Sequence, residues 1–160
     1  MQAGTYNDIQ GVDDMKLSRK TLVMMIVLLA GPCLAADPQG SGDLTIHVTG
    51  IKSTSGYLDI AVADSEPGFL EKDRSYTQIR TRVNGPEMSV MLKGLPFNDY
   101  AVSVFHDENA NGTLDRNMRG APKELLGYSN NVRGKSGPPQ YTASRFGLRT
   151  NALTVTINLR

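Results

Sequence analysis

Leu44-Thr45-Ile46-His47-Val48-Thr49 places an aliphatic residue at every second position, with polar residues between. Successive side chains of an extended chain point to opposite faces, so this spacing predicts a strand with one buried face and one wet face. The pattern recurs along the chain. Leu58, Ile60 and Val62 alternate with Tyr57, Asp59 and Ala61 after a Thr54-Ser55-Gly56 turn. A weaker strand is expected over 76–83, ended by Asn84-Gly85-Pro86, and a fourth through Met88, Val90 and Leu92. Tyr100, Val102 and Val104 form a fifth, residues 141–148 a sixth, and Leu153, Val155, Ile157 and Leu159 a seventh. A polar loop passes through Ser65-Glu66-Pro67-Gly68, with Phe69-Leu70 as a helical turn. About seven short antiparallel strands separated by turn signals predict an all-β sandwich, a Greek key of immunoglobulin or prealbumin type.

Gly94-Leu95-Pro96-Phe97-Asn98-Asp99-Tyr100 sharpens that expectation. A tyrosine entering a strand just after a Leu-Pro turn is how a tyrosine corner is built, its hydroxyl bonded back to upstream backbone.

The segment richest in chemistry is Asp107-Glu108-Asn109-Ala110-Asn111-Gly112-Thr113-Leu114-Asp115. Calcium wants six to eight oxygens, and a tight loop supplies them by turning alternate side chains inward. Asp107, Asn109 and Asn111 hold the first, third and fifth positions, Gly112 the sharp turn at the sixth, the Thr113 carbonyl the seventh and Asp115 the ninth. Leu114 fits an apolar eighth position that ties such a loop to a core. A strand rather than a helix leads in, and the twelfth position is Met118 instead of a bidentate acid. Affinity should therefore be weak, on the order of 10⁻⁴–10⁻³ M, unless Glu124 or Glu108 folds back to complete the site. The competing reading is a metal-free loop, since Asp, Asn and Gly also form turns by bonding local backbone.

The N-terminal part has a different composition. Met15-Lys16-Leu17-Ser18-Arg19-Lys20 is basic, 21–30 is almost wholly apolar, and Cys33-Leu34-Ala35 follows a Gly31-Pro32 break. Basic start, short apolar core and small-residue exit predict a cleavable signal peptide over 15–35. The apolar run falls far short of the ~20 residues that span a bilayer. Residues 1–14 carry Asp8, Asp13 and Asp14 ahead of the basic region and read as an upstream extension. Pro32 stands directly before Cys33, which argues against lipid acylation. Removing 35 of the 160 residues leaves 125 without cysteine, a flexible leader over 36–42 and one domain over 43–160. The expected location is the periplasm or the extracellular space, where no disulfide braces the fold. Lys and Arg number 17 against 16 Asp and Glu, without the basic excess that nucleic-acid or anionic-membrane partners call for.

Gly94-Leu95-Pro96, Tyr100-Ala101-Val102, His106-Asp107-Glu108-Asn109-Ala110-Asn111-Gly112, Leu114-Asp115, Asn117, Gly120-Ala121-Pro122-Lys123-Glu124 and Gly127-Tyr128-Ser129-Asn130-Asn131 form one long signature. It resembles that of a group of small exported bacterial proteins catalogued as a domain of unknown function. The resemblance covers about residues 44–159 and implies an exported, single-domain β-sandwich without implying an activity. A looser similarity links the loop to calcium-binding B-type repeats of bacterial surface adhesins.

Enzymatic readings are weaker. His106 and Asp107 are adjacent, so on a strand they face opposite ways, a poor start for a triad with Ser103 or Ser129. Asp115 and Glu124 could pair for glycoside hydrolysis, but no base, nucleophile and oxyanion donor assemble from the sequence. His106 is expected to order the neighbouring loop, and His47 to face solvent. Tyr128-Ser129-Asn130-Asn131 has the amide and aromatic mix of carbohydrate or peptide contacts. The expectation is therefore a non-catalytic, exported β-sandwich with a structural calcium loop, serving an unidentified envelope or extracellular partner. The alternatives are a metal-free carbohydrate- or peptide-binding domain and, less favoured, a small hydrolase.

Overall fold

A computed structural model describes residues 40–160. The upstream extension (1–14), the signal peptide (15–35) and positions 36–39 of the leader lie outside the described residues. The described residues form eight strands: β1 Ser41–Thr49, β2 Tyr57–Ala63, β3 Thr77–Arg82, β4 Met88–Pro96, β5 Asn98–Asp107, β6 Leu126–Tyr128, β7 Phe146–Leu148 and β8 Ala152–Asn158. One sheet has the order β4-β1-β8; the other runs β3-β2-β5-β6, with β7 also paired to β5. The expected all-β sandwich is thus the fold, with one strand more than the alternation predicts.

Alternation decides which side of each strand is buried. Leu44, Ile46 and Val48 of β1 and Leu58, Ile60 and Val62 of β2 are all but sealed from solvent. They meet Tyr100, Val102 and Val104 of β5 and Ile157 of β8 between the sheets. Burying such side chains contributes roughly 1.5–3 kcal/mol each, which lets a small domain dispense with disulfides. The tyrosine corner is present: the wholly buried Tyr100 donates its hydroxyl hydrogen to the Pro96 carbonyl at 2.9 Å. Burial, more than the charges of Tyr76 and Asp64, pushes the Tyr100 phenol up to about 12.

Three expectations need correction. The sandwich is not purely antiparallel, because β1 and β8 run parallel, in register from Asp43 opposite Ala152 to Thr49 opposite Asn158. Parallel neighbours need a long crossover, and here almost the whole domain lies between the two strands. Second, the strand expected over 141–148 divides. Tyr141–Ser144 is a single helical turn, α1, and only Phe146–Leu148 is extended. Tyr141 and Ser144 are buried at helical i, i+3 spacing, and the Tyr141 hydroxyl reaches the Asp99 carbonyl at 3.2 Å. Third, β1 begins at Ser41, so the last two positions of the expected flexible leader are sheet, with Gly42 opposite Leu95.

The outer face of the larger sheet positions the candidate site. At one end, Ala63 and Ala101 lie under Phe69 and Tyr141 in a small second core, against which Tyr128 packs. At the other end β5 runs directly into the 107–115 loop. Arg149 and Arg145 both pair with Asp99, at 2.6 and 3.1 Å, and join the segment around β7 to the start of β5.

Candidate functional site

Strand register arranges the outer face into rows. Tyr57 lies beside Asp107; Arg80, Asp59, Phe105 and Leu126 form the next row; Gln78, Ala61, Ser103 and Tyr128 form the third. The 107–115 loop closes one end. The Asp107 side chain is wholly buried yet ionised in character: its Oδ2 accepts from Arg80 Nη2 at 2.6 Å and from the Gly112 N–H at 2.7 Å, and its Oδ1 from the Asn111 N–H at 3.1 Å. Burial pushes this carboxyl up, but the Arg80 guanidinium and the two N–H groups outweigh it and hold it below the usual carboxylate range. Arg80 also pairs with Asp59 and lies over the Tyr57 ring, 4.4 Å from its centroid.

The remaining loop residues bond one another and the local backbone. Asn109 Nδ2 and Asn111 Nδ2 donate to the Asp115 carboxylate at 2.7 and 3.1 Å. Asn109 Oδ1 accepts from the Asn111 N–H, and Asn111 Oδ1 from the Thr113 N–H and hydroxyl. Gly112 takes the sharp turn at φ 79°, a left-handed conformation that suits glycine. Gly56 closes the loop from below, since a Cβ there would sit 1.9 Å from the Asp107 carbonyl. Met118 projects fully into solvent, and it is Glu124 that folds back, its Oε2 accepting from the Asp115 N–H at 3.1 Å. Glu124 Oε1 is buried and, among the described residues, has no hydrogen-bond partner.

The loop is closed by its own polar groups. Its internal hydrogen bonds hold it together by the side-chain-to-backbone logic of Asx turns. Among the described residues no three acidic or histidine side chains cluster as a metal site would require, and the oxygens of Asp107, Asn109, Asn111 and Asp115 accept from Arg80, backbone N–H groups and amides. Asn109 and Asn111 present N–H groups to Asp115, so a cation there would have to replace those two donors.

Between the loop and the small aromatic core lies an open cleft of about 550 Å³. Ala61, Ser103 and Phe105 floor it, while Leu114, Leu70 and Pro138 rise around it. Leu114 thus lines the cleft rather than tying the loop to the core. Leu70 is 42 % exposed and held at φ 67°, a backbone conformation costly for a bulky residue. The cleft is the feature that sequence reasoning missed. Its signal was available: Ala61 and Phe105 occupy outward positions where a solvated strand would carry polar groups.

Tyr128-Ser129-Asn130-Asn131 divides differently from expectation. Only Tyr128 reaches the cleft. Ser129 Oγ is buried, donating to the Ser144 carbonyl at 2.6 Å and accepting from the Val102 N–H at 2.9 Å. Asn130 donates to the Ala143 and Arg145 carbonyls. Asn131 accepts from the Asn158 N–H and donates to the Thr156 carbonyl, standing in for a strand beside β8. Both asparagines are left-handed, at φ 59° and 52°. These polar side chains fasten backbone.

His106 and Asp107 diverge as their adjacency on a strand requires. His106 is sealed from solvent, donates from Nε2 to the Ser55 carbonyl at 2.7 Å and sets Nδ1 3.6 Å from Glu108. It ties the β1–β2 turn to the start of the loop, as expected. His47 is outward but not freely solvated: it bonds Ser89 at 2.9 Å and lies 3.3 Å from Glu87.

Among the described residues, no helix is long and apolar enough to cross a membrane. No curated protein and no solved structure matches the chain. A family model matches residues 46–156, from within β1 to within β8, and so takes in the loop and every residue of the cleft. On that match the chain belongs to the family described as uncharacterized proteins conserved in bacteria, DUF2141.

Proposed function

We propose that this protein is an exported, non-catalytic binding module that takes a small ligand from the envelope or extracellular space into the cleft of its larger sheet. The observation that carries this reading is the cleft itself. Its volume of about 550 Å³ falls in the range of small-molecule sites, and its mostly apolar lining is framed by a few polar groups. A solvated sheet face would not carry Phe105, Leu126 and Leu114 around one hollow, because exposed apolar surface is kept scattered unless it is used.

The 107–115 loop forms one wall of that cleft through Gly112, Thr113 and Leu114. Calcium held by Asp107, Asn109, Asn111, Thr113, Asp115 and Glu124 would stiffen the wall, and the orphaned Glu124 Oε1 is the observation in its favour. The signal-like segment over 15–35 would deliver the module to a compartment where a weak calcium site can fill.

Fluorescence titration with the neutral apolar dye N-phenyl-1-naphthylamine tests the cleft. Saturable enhancement by the folded protein, abolished by Ala61→Trp, is the expected result. No enhancement, or enhancement indifferent to Ala61→Trp, would refute the reading. The calcium component has its own test, a thermal melt with and without the ion. At a Kd near 1 mM, about 10 mM calcium adds roughly 1.4 kcal/mol, or about 5 °C in a domain of this size. An unchanged midpoint removes calcium from the proposal and leaves the cleft in place.

A further inference from the structure

We propose that the ligand of the cleft is a small amphipathic anion, its apolar body on the sheet face and its negative head at Arg116 and the Tyr128 hydroxyl. The inference rests on the reading of the cleft as a ligand site and adds the chemistry of what enters it.

The floor fixes the shape of the guest. Ala61 and Ser103 are register partners at the centre of the sheet, and their small side chains leave a trough beside Phe105. A flexible or flat apolar body lies there without displacing anything, shielded from water by Leu114 and the exposed, strained Leu70. Burial of such a body supplies the non-directional part of the affinity.

Charge fixes the head group. Two guanidiniums border the cleft. Arg80 is already neutralised, pairing with both Asp59 and Asp107. Arg116 is different: its Nη1 donates to the Gly120 carbonyl at 3.0 Å, and no carboxylate pairs with it among the described residues. A guanidinium carries five N–H donors, so most of its hydrogen-bonding capacity remains. Its charge is felt at Tyr128, where burial raises the phenol and Arg116 partly offsets that rise. The hydroxyl stays protonated at neutral pH and can donate beside the cation. Among the described residues the one acid bordering the cleft is Asp59, which is held by Arg80 and does not oppose an incoming anion. An unpaired cation and a protonated phenol at the edge of an apolar trough complement a carboxylate on an apolar body.

Displacement of bound N-phenyl-1-naphthylamine by octanoate, octan-1-ol and octylamine tests this at constant chain length. Octanoate should compete about tenfold better than octan-1-ol, the usual size of one charge-assisted contact, and octylamine should compete worst. Arg116 is exposed, so Arg116→Gln should fold normally. It should erase the advantage of octanoate while leaving octan-1-ol unchanged, and Arg116→Lys should keep part of it. Equal competition by octanoate and octan-1-ol would overturn the anionic head and leave the cleft reading standing. Dye binding that none of the three displaces would overturn the inference as well. If the dye itself does not bind in the cleft, the underlying reading fails and the inference falls with it.

Discussion

Replacing Ser129 by alanine removes one hydroxyl from a sealed position, and the structure lets its cost be worked out. Ser129 Oγ accepts from the Val102 N–H on β5 at 2.9 Å and donates to the Ser144 carbonyl in α1 at 2.6 Å. All three residues are buried. Alanine keeps the Cβ and leaves the N–H and the carbonyl without this partner where water cannot replace it. An orphaned buried polar group costs about 1–3 kcal/mol, so two of them should cost about 3 kcal/mol. For a domain of this size that is a fall of roughly 10 °C in Tm. Urea denaturation followed by circular dichroism should show the midpoint reduced and the slope unchanged. Native-state hydrogen exchange should show the Val102 amide deprotected more than its neighbours. A loss below about 1 kcal/mol, or unchanged Val102 protection, would refute the assignment of Ser129 as the fastener between β5 and α1.

Acid stability should depend on Asp107. Its folded-state carboxyl is held below the ordinary range, so its contribution is complete above the unfolded value of about 4 and is lost as pH falls through the lower folded value. In acid titration of stability, Asp107→Asn should be less stable at neutral pH and lose less on acidification; parallel curves would contradict this. At alkaline pH the sign reverses. Tyr100 ionises at about 12 when folded and near 10 when unfolded, so the folded state holds the proton more tightly and stability should decline between those values. Tyr100→Phe should flatten that decline while lowering stability by about 1 kcal/mol at neutral pH through loss of the bond to Pro96. For export, intact-mass measurement of the protein recovered from the periplasm or medium should give a chain beginning at Ala36; retention of residues 15–35 would contradict the signal reading.

The strands that build the core were legible because period-two alternation is a local property. Leu44 to Val48 and Leu153 to Leu159 declare their buried side without knowledge of their neighbours. Pairing was not legible. That β1 lies parallel to β8 depends on which ends of the domain meet, and no turn residue encodes it. Short elements were lost for the same reason. Leu126–Tyr128 is too short to show a period, and Tyr141–Ser144 is helical because two buried side chains and the Asp99 carbonyl draw it inward. The loop divides along the same line. Asx spacing and Gly112 foretold its shape, whereas Arg80, which neutralises Asp107, is 27 residues away and is brought there by register alone. Glu124 was open as a completing residue, and only the folded chain seats it against Asp115. The backbone-fastening role of the asparagines after Tyr128 was not legible, because amides that fasten backbone and amides that face a ligand have the same composition.

If the sheet face between the 107–115 loop and the Phe69–Tyr141 contact is a binding site, a ligand must perturb that face and spare the opposite sheet. Amide chemical-shift mapping with octanoate reads this residue by residue. Saturable shifts are expected at Ala61, Ser103, Phe105 and Leu126, with quiet amides at Thr45, Met91 and Thr154 on the opposite sheet. Shifts centred on that opposite sheet, or scattered over both without saturation, would contradict it.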